Sequence, residues 1–217
     1  MKRANENSAM KGFQVRIDFR RFGLALVAAV VCFDVAANTA SPPEALVRET
    51  TDKVLEVLKK EREVINKDPA RIFGIVDEFI IPHLDFELMS QRVLGKFWHR
   101  ASGEQQSKFV REFQTLLVHT YAAALREYSD QRVEFLASRT GDGGQVTVRT
   151  QVVQSGGPPI PINYEMHKPN GGWKVYDISI DGVSLVINYR STFASEIRSN
   201  GLDALIDRLV EHNQRRR

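Results

Sequence analysis

The sequence predicts an α+β fold: N-terminal helices, then a twisted antiparallel sheet of about four strands, then C-terminal helices. Three observations predict it. Apolar residues recur at helical spacing from Leu46 to Leu125. The period falls to two between Val133 and Ile180, in segments separated by turns rich in Gly and Pro. The helical period returns after Asp181-Gly182. No Pro/Gly/Ser linker divides the chain, so residues 38–217 read as a single domain large enough for its own core.

The first 37 residues read as a cleaved secretory signal. Basic residues precede the apolar run Phe22 to Phe33, and small residues in Val35-Ala36-Ala37 place the cleavage after Ala37. That run is too short to cross a bilayer, which takes roughly 20 residues. Either Met1 or Met10 can serve as the start, and Arg20-Arg21 leaves twin-arginine export open beside the general route. The net charge of +3 belongs to this segment, where six basic residues face Glu6, Asp18 and Asp34. The remainder is neutral, so the high pI is no argument for nucleic-acid binding. Cys32, the one cysteine, lies inside the apolar run, which leaves the mature chain without disulfides or thiol catalysis.

From Pro42 to about Lys67, Leu46, Val47, Val54, Leu58 and Ile65 recur among many charges, as in a solvent-facing amphipathic helix. Asp68-Pro69 supplies a cap and a first-turn proline for a shorter helix, with Ile72, Phe73, Val76, Phe79 and Ile80 on its inner side, which Pro82 terminates. A third helix from Phe86 to Val93 stops at Gly95. Ser102 and Gln105 form a capping box that opens a long helix faced with Phe109, Phe113, Leu116, Leu117, Tyr121 and Leu125.

The strands come next. Val133, Phe135 and Ala137 alternate, then Val146, Val148, Thr150 and Val152, then Ile160, Ile162, Tyr164 and Met166. In the last, which runs from Trp173 to Ile180, the alternation slips by one near Asp177 and marks a bulge. Asp181-Gly182 turns the chain into a helix carrying Leu185, Val186, Tyr189, Phe193 and Ile197, with Gly201 as its stop. The charged end Arg215 to Arg217 reads as frayed.

Catalytic and metal signals are absent from this pattern. His83, His99, His119, His167 and His212 are scattered, with no pair at i, i+4 spacing. There is no nucleophile elbow, phosphate loop or dinucleotide fingerprint. Tyr176 and Asp177 are the one pair to weigh as an acid/base couple at a pocket. Against that, a carboxylate at a bulge commonly accepts backbone hydrogen bonds, and Arg190 can either pair with Asp177 or reach a phosphate.

Two stretches carry a resemblance. Arg92 to Tyr121, RVLGKFWHRASGEQQSKFVREFQTLLVHTY, and Trp173 to Gly201, WKVYDISIDGVSLVINYRSTFASEIRSNG, resemble in this order the signatures of the MlaC family of periplasmic phospholipid carriers, also called the toluene-tolerance family. The resemblance spans roughly Pro42 to Leu209; His99 departs from it, standing where a basic residue is commoner. It implies a cone similar to nuclear-transport-factor folds, with a deep apolar pocket between helices and sheet that holds the acyl chains of a glycerophospholipid.

By that similarity the expected lipid-binding residues are Leu116, Leu117 and Tyr121; Val148, Val152, Ile162, Tyr164 and Ile178; and Val183, Leu185, Val186 and Tyr189. Implied too are a periplasmic, monomeric carrier without cofactor or metal, and docking to an inner-membrane ABC transporter complex and an outer-membrane lipoprotein-porin complex. Two other readings stand beside the carrier. One is a pocket enzyme using Asp177 and Tyr176 on a small hydrophobic substrate, and the other a sensor or chaperone for hydrophobic peptides.

Overall fold

A computed structural model describes residues 42–128, 131–154 and 157–215. The signal segment, Cys32, the cleavage point after Ala37 and the last two arginines lie outside the described residues.

The expected first helix forms as two, α1 (Pro42–Lys60) and α2 (Arg62–Lys67). Glu61 leaves helical geometry at φ −99°, ψ 14°, and its carboxylate is held by Arg71, whose Nε lies 2.6 Å away. Asp68 accepts from the Ala70 amide, and a tight turn over Pro69 delays α3 to Arg71–Phe79. Pro82 follows in a short 3₁₀ turn, Ile81–His83. Asp85 caps α4 (Phe86–Leu94) by accepting from the Leu88 amide, and Gly95 stops it at φ 54°, a value that suits glycine. The capping box forms as expected: Ser102 accepts from Gln105 N, and the Gln105 side chain accepts from Ser102 N, opening α5 (Gly103–Arg126).

The sheet is a meander of five strands in sequence order: β1 (Arg132–Thr140), β2 (Val146–Val153), β3 (Ile160–His167), β4 (Lys174–Ile180) and the two-residue β5 (Val183–Ser184), all antiparallel. The expected slip near Asp177 is a β-bulge. Glu165 pairs with Asp177 and Met166 with Val175, which leaves Tyr176 as the extra residue. Asp181 and Gly182 take φ of 49° and 79°, the turn that matches strand twist and joins β4 to β5. β5 adds one strand to the four legible in the alternation.

Ser184 caps α6 (Leu185–Asn200) by accepting from Ile187 N. Gly201 then separates α6 from α7 (Leu202–Gln214), an element the sequence reading did not delineate although Leu205, Ile206 and Leu209 give its buried stripe.

Besides a cluster that joins α1, α2, α3 and α5 around Ile72 and Ile75, two regions of packing bear on the site. Helices α4 to α7 form a solid bundle in which Phe109, Phe113, Tyr189 and Phe193 contact ring to ring at 5.4–6.1 Å. The second region joins the sheet to α1, where Val47, Val148, Met166 and Val175 cluster.

Candidate functional site

The second region is hollow. A cavity of about 480 Å³ lies between α1 and the sheet. Strand alternation builds its floor wall: Ile160, Ile162, Tyr164 and Met166 leave one face of β3, and register sets Ile162 opposite Ile180 and Tyr164 opposite Ile178. Val152 joins from β2, opposite Ile160, and Val133 from β1. The facing wall is a stripe of α1, Leu46, Val47, Thr50, Thr51, Val54 and Leu55, recurring every four residues. Ala124 and Leu125 from the last turn of α5 close one side.

Ile80, His83 and Leu84 close another, on a strap that is tied to the sheet. Asp85 N donates to Val175 O at 2.8 Å, Lys174 Nζ donates to Pro82 O, and His167 Nε2 meets Asp85 Oδ2 at 2.8 Å. The inner end rests on the buried Val47, Met166 and Val175. Val54 is buried as well and the rest of the lining is half-buried, except at Ala124 and Glu127, which are exposed and mark the mouth.

Ionised groups are nearly absent from this lining. Burial, with Lys174 nearby adding a smaller effect, pushes His83 below the usual imidazole value, so it is neutral at pH 7. Burial raises the Tyr164 hydroxyl, partly offset by a hydrogen bond with Thr150. Among the described residues Glu127 is the one acidic side chain in the lining. Among the described residues no cluster of His, Asp and Glu could hold a metal ion.

Of the twelve residues expected to bind lipid, Val152, Ile162, Tyr164 and Ile178 line the cavity. Val148 is wholly buried in the packed cluster beneath. Leu116, Leu117, Tyr121, Val186 and Tyr189 lie in the bundle, because the body of α5 packs on α6 and α7 and only its end reaches the hollow. Burial and the neighbouring Tyr189 push Tyr121 up to about 12. Leu185 is buried outside the lining, and Val183 is 56% exposed. The α1 stripe is the wall that sequence reasoning missed: α1 was read as solvent-facing, although its apolar spacing was the available signal.

Tyr176 and Asp177 do not line the cavity. Asp177 Oδ1 accepts from the amides of Ile178 (2.8 Å) and Val186 (3.1 Å), and Oδ2 from Ser184 Oγ (2.5 Å). The carboxylate therefore pins the start of α6 to the bulge. Tyr176 donates to Gln145 Oε1 at 2.6 Å, beneath the Arg92 guanidinium. Arg190 has no ion pair with Asp177 and lays its guanidinium over Gly95 instead.

An apolar chamber, open at one end and almost without ionised groups, is the architecture of a binding protein for apolar molecules. Comparison with known proteins specifies which kind. The chain belongs to the MlaC protein family, which matches it over residues 48–211. It is 28% identical over 206 residues to the intermembrane phospholipid transport system binding protein MlaC of Haemophilus influenzae, covering 93% of this chain and 95% of that one. Identity to toluene tolerance protein ttg2D of Pseudomonas putida is 29% over 191 residues, covering 87% of each. The solved structure of a phospholipid-binding protein from Ralstonia solanacearum, in complex with a phospholipid, matches with a TM-score of 0.75 at 34% identity, covering 81% of this chain and 99% of that one. The family and the α+β fold expected from the sequence are both met.

Proposed function

We propose that the chain is a phospholipid transport protein whose cavity between α1 and the sheet encloses acyl chains while the head group stays at the Glu127 end. The observation that carries this reading is the chamber itself, apolar along α1, β3 and β4 and open where its lining becomes exposed. The family supports it, as does the phospholipid held by the Ralstonia protein.

The physics calls for such a chamber. Exposing an acyl CH₂ to water costs about 0.8 kcal/mol, so a lipid with roughly 30 of them faces a gross desorption cost on the order of 20 kcal/mol. Apolar walls replace one apolar medium by another and make the transfer nearly neutral. The work requires shape and apolarity, with no proton transfer, and the protein acts as a carrier rather than an enzyme.

Residues 1–37 serve as a signal peptide cleaved after Ala37, and the mature chain works in the periplasm. There it shuttles glycerophospholipid between an inner-membrane ABC transporter complex and an outer-membrane lipoprotein-porin complex, maintaining outer-membrane lipid asymmetry. Among the described residues no helix is long and apolar enough to cross a membrane. Native mass spectrometry of the chain from Asn38 onward, purified from a bacterial periplasm, tests the cargo. Adducts that fragment to diacyl glycerophospholipids are expected; a protein that is empty under gentle conditions overturns the assignment.

A further inference from the structure

Three large apolar side chains among the described residues are strongly exposed, and two of them, Val183 (56%) and Ile187 (65%), lie four residues apart where β5 leads into α6. Val183 pairs directly with Ile180, so both side chains leave the same face of the sheet. Ile180 lines the cavity, and Val183, exposed, carries the apolar surface outward. Ile187 follows within one turn, its amide bonded to Ser184 Oγ next to Val183.

One turn further along the same flank of α6 comes Arg190, whose guanidinium would meet a Cβ on Gly95 at 3.1 Å. Arg92 and Lys96 flank that glycine. All three cations are exposed, and among the described residues none is in an ion pair; Arg92 and Lys96 face the rings of Tyr176 and Phe97, and Glu165 and Asp177 lie near the same Tyr176 ring. Asp181 is the one carboxylate on residues 181–191 and 91–96. The chain outside the signal segment is otherwise neutral, so this local excess of cations is a feature of this face.

We infer that this face, Val183 and Ile187 flanked by Arg190, Lys96 and Arg92, docks directly on an anionic lipid surface. Aliphatic side chains enter the acyl boundary while the basic flank meets head-group phosphates, the pattern of interfacial binding. The apolar pair is continuous with the cavity lining through Ile180, so docking would turn that wall of the cavity toward the bilayer. The inference goes beyond the cargo reading, because binding to a bilayer is measured independently of what the cavity holds.

The test is flotation of the chain from Asn38 onward with vesicles of phosphatidylcholine alone or mixed with phosphatidylglycerol, at low and high salt. Each basic residue near such a surface contributes on the order of a fivefold factor. The protein should therefore bind mixed vesicles far more strongly than neutral ones and lose the difference at high salt. Lys96→Gln and Arg190→Gln should each weaken binding about fivefold, and Ile187→Asp should weaken it at any salt. Lys96→Gln gives up only the ammonium's contact with the Phe97 ring and keeps the test valid if Arg190→Gln disturbs Gly95; circular dichroism checks the fold of each variant. Equal binding to both vesicle types, no binding to either, or variants that bind like the parent overturn the proposal. So does a result in which the substitutions impair docking only to an acidic protein surface. Mass spectrometry of lipid in the same samples reports the cargo separately, so vesicle binding can fail while the carrier assignment stands, and the reverse.

Discussion

Stripping lipid from the purified protein should lower its melting temperature, and the cavity sets the scale. Empty space in a protein interior costs about 24 cal/mol per Å³. For a volume of about 480 Å³ that gives an upper limit of about 12 kcal/mol between an empty, dry chamber and a filled one. The mouth admits water, and lipid equilibrates with its surroundings, so the recovered fraction is smaller. A tenth of the limit, about 1 kcal/mol, already moves the melting temperature of a domain this size by about 2–4 °C. Scanning calorimetry of lipid-retaining and detergent-stripped samples in one buffer reads the difference. Adding lipid back should restore it progressively with concentration, as linkage requires. Ile162→Trp, which fills part of the chamber, should shrink the gap between the two samples. Equal melting temperatures with and without lipid would refute the idea that cargo occupies this volume.

The remaining predictions concern single side chains. Asp177→Ala removes the acceptor of three hydrogen bonds and strands the Val186 amide and Ser184 hydroxyl, for a loss of about 3 kcal/mol in urea unfolding; parental stability would show that α6 is anchored elsewhere. Ile178→Glu places a carboxylate on the cavity wall and should abolish lipid retention, while Val183→Glu, 56% exposed, should leave both retention and stability near the parent's, as native mass spectrometry and unfolding can check. His83 is lowered in the folded state, so below pH 6.5 the unfolded chain takes up the proton first. Stability should accordingly fall as pH drops below 6.5 toward the folded value and level off beneath it. His83→Gln should flatten that slope, and an unchanged slope would mean that other groups set it.

What the sequence displays and what it conceals divide along a physical line. The Ser102–Gln105 capping box, the Gly95 stop and the Asp181-Gly182 turn are local, since each is satisfied by atoms a few residues away or by one residue's φ. The Tyr176 bulge is visible as a slip in period because it displaces every side chain beyond it. A hollow leaves no such trace. Leu116 and Ile178 are both apolar residues on periodic elements, yet one is locked in the bundle and the other faces empty space. Which of the two occurs depends on how far α5 runs before its end meets the sheet. The break at Glu61 was hidden for a similar reason: its partner Arg71 lies ten residues on, across a turn.

The same division explains how one domain tolerates the cavity at all. A void costs stability wherever it lies, so the rest of the chain must pack without gaps. The ring contacts among Phe109, Phe113, Tyr189 and Phe193 do so in the bundle, away from the cavity. Asp177 joins the two regions: its carboxylate sits on β4, whose Ile178 and Ile180 line the hollow, and holds the first turn of α6, whose Phe193 belongs to the bundle. The acid that an enzyme would have turned toward a substrate is turned here toward three hydrogen-bond donors of the scaffold. That arrangement leaves the chamber walls largely apolar and, among the described residues, free of ionised groups up to Glu127, as the proposed lipid-holding role requires.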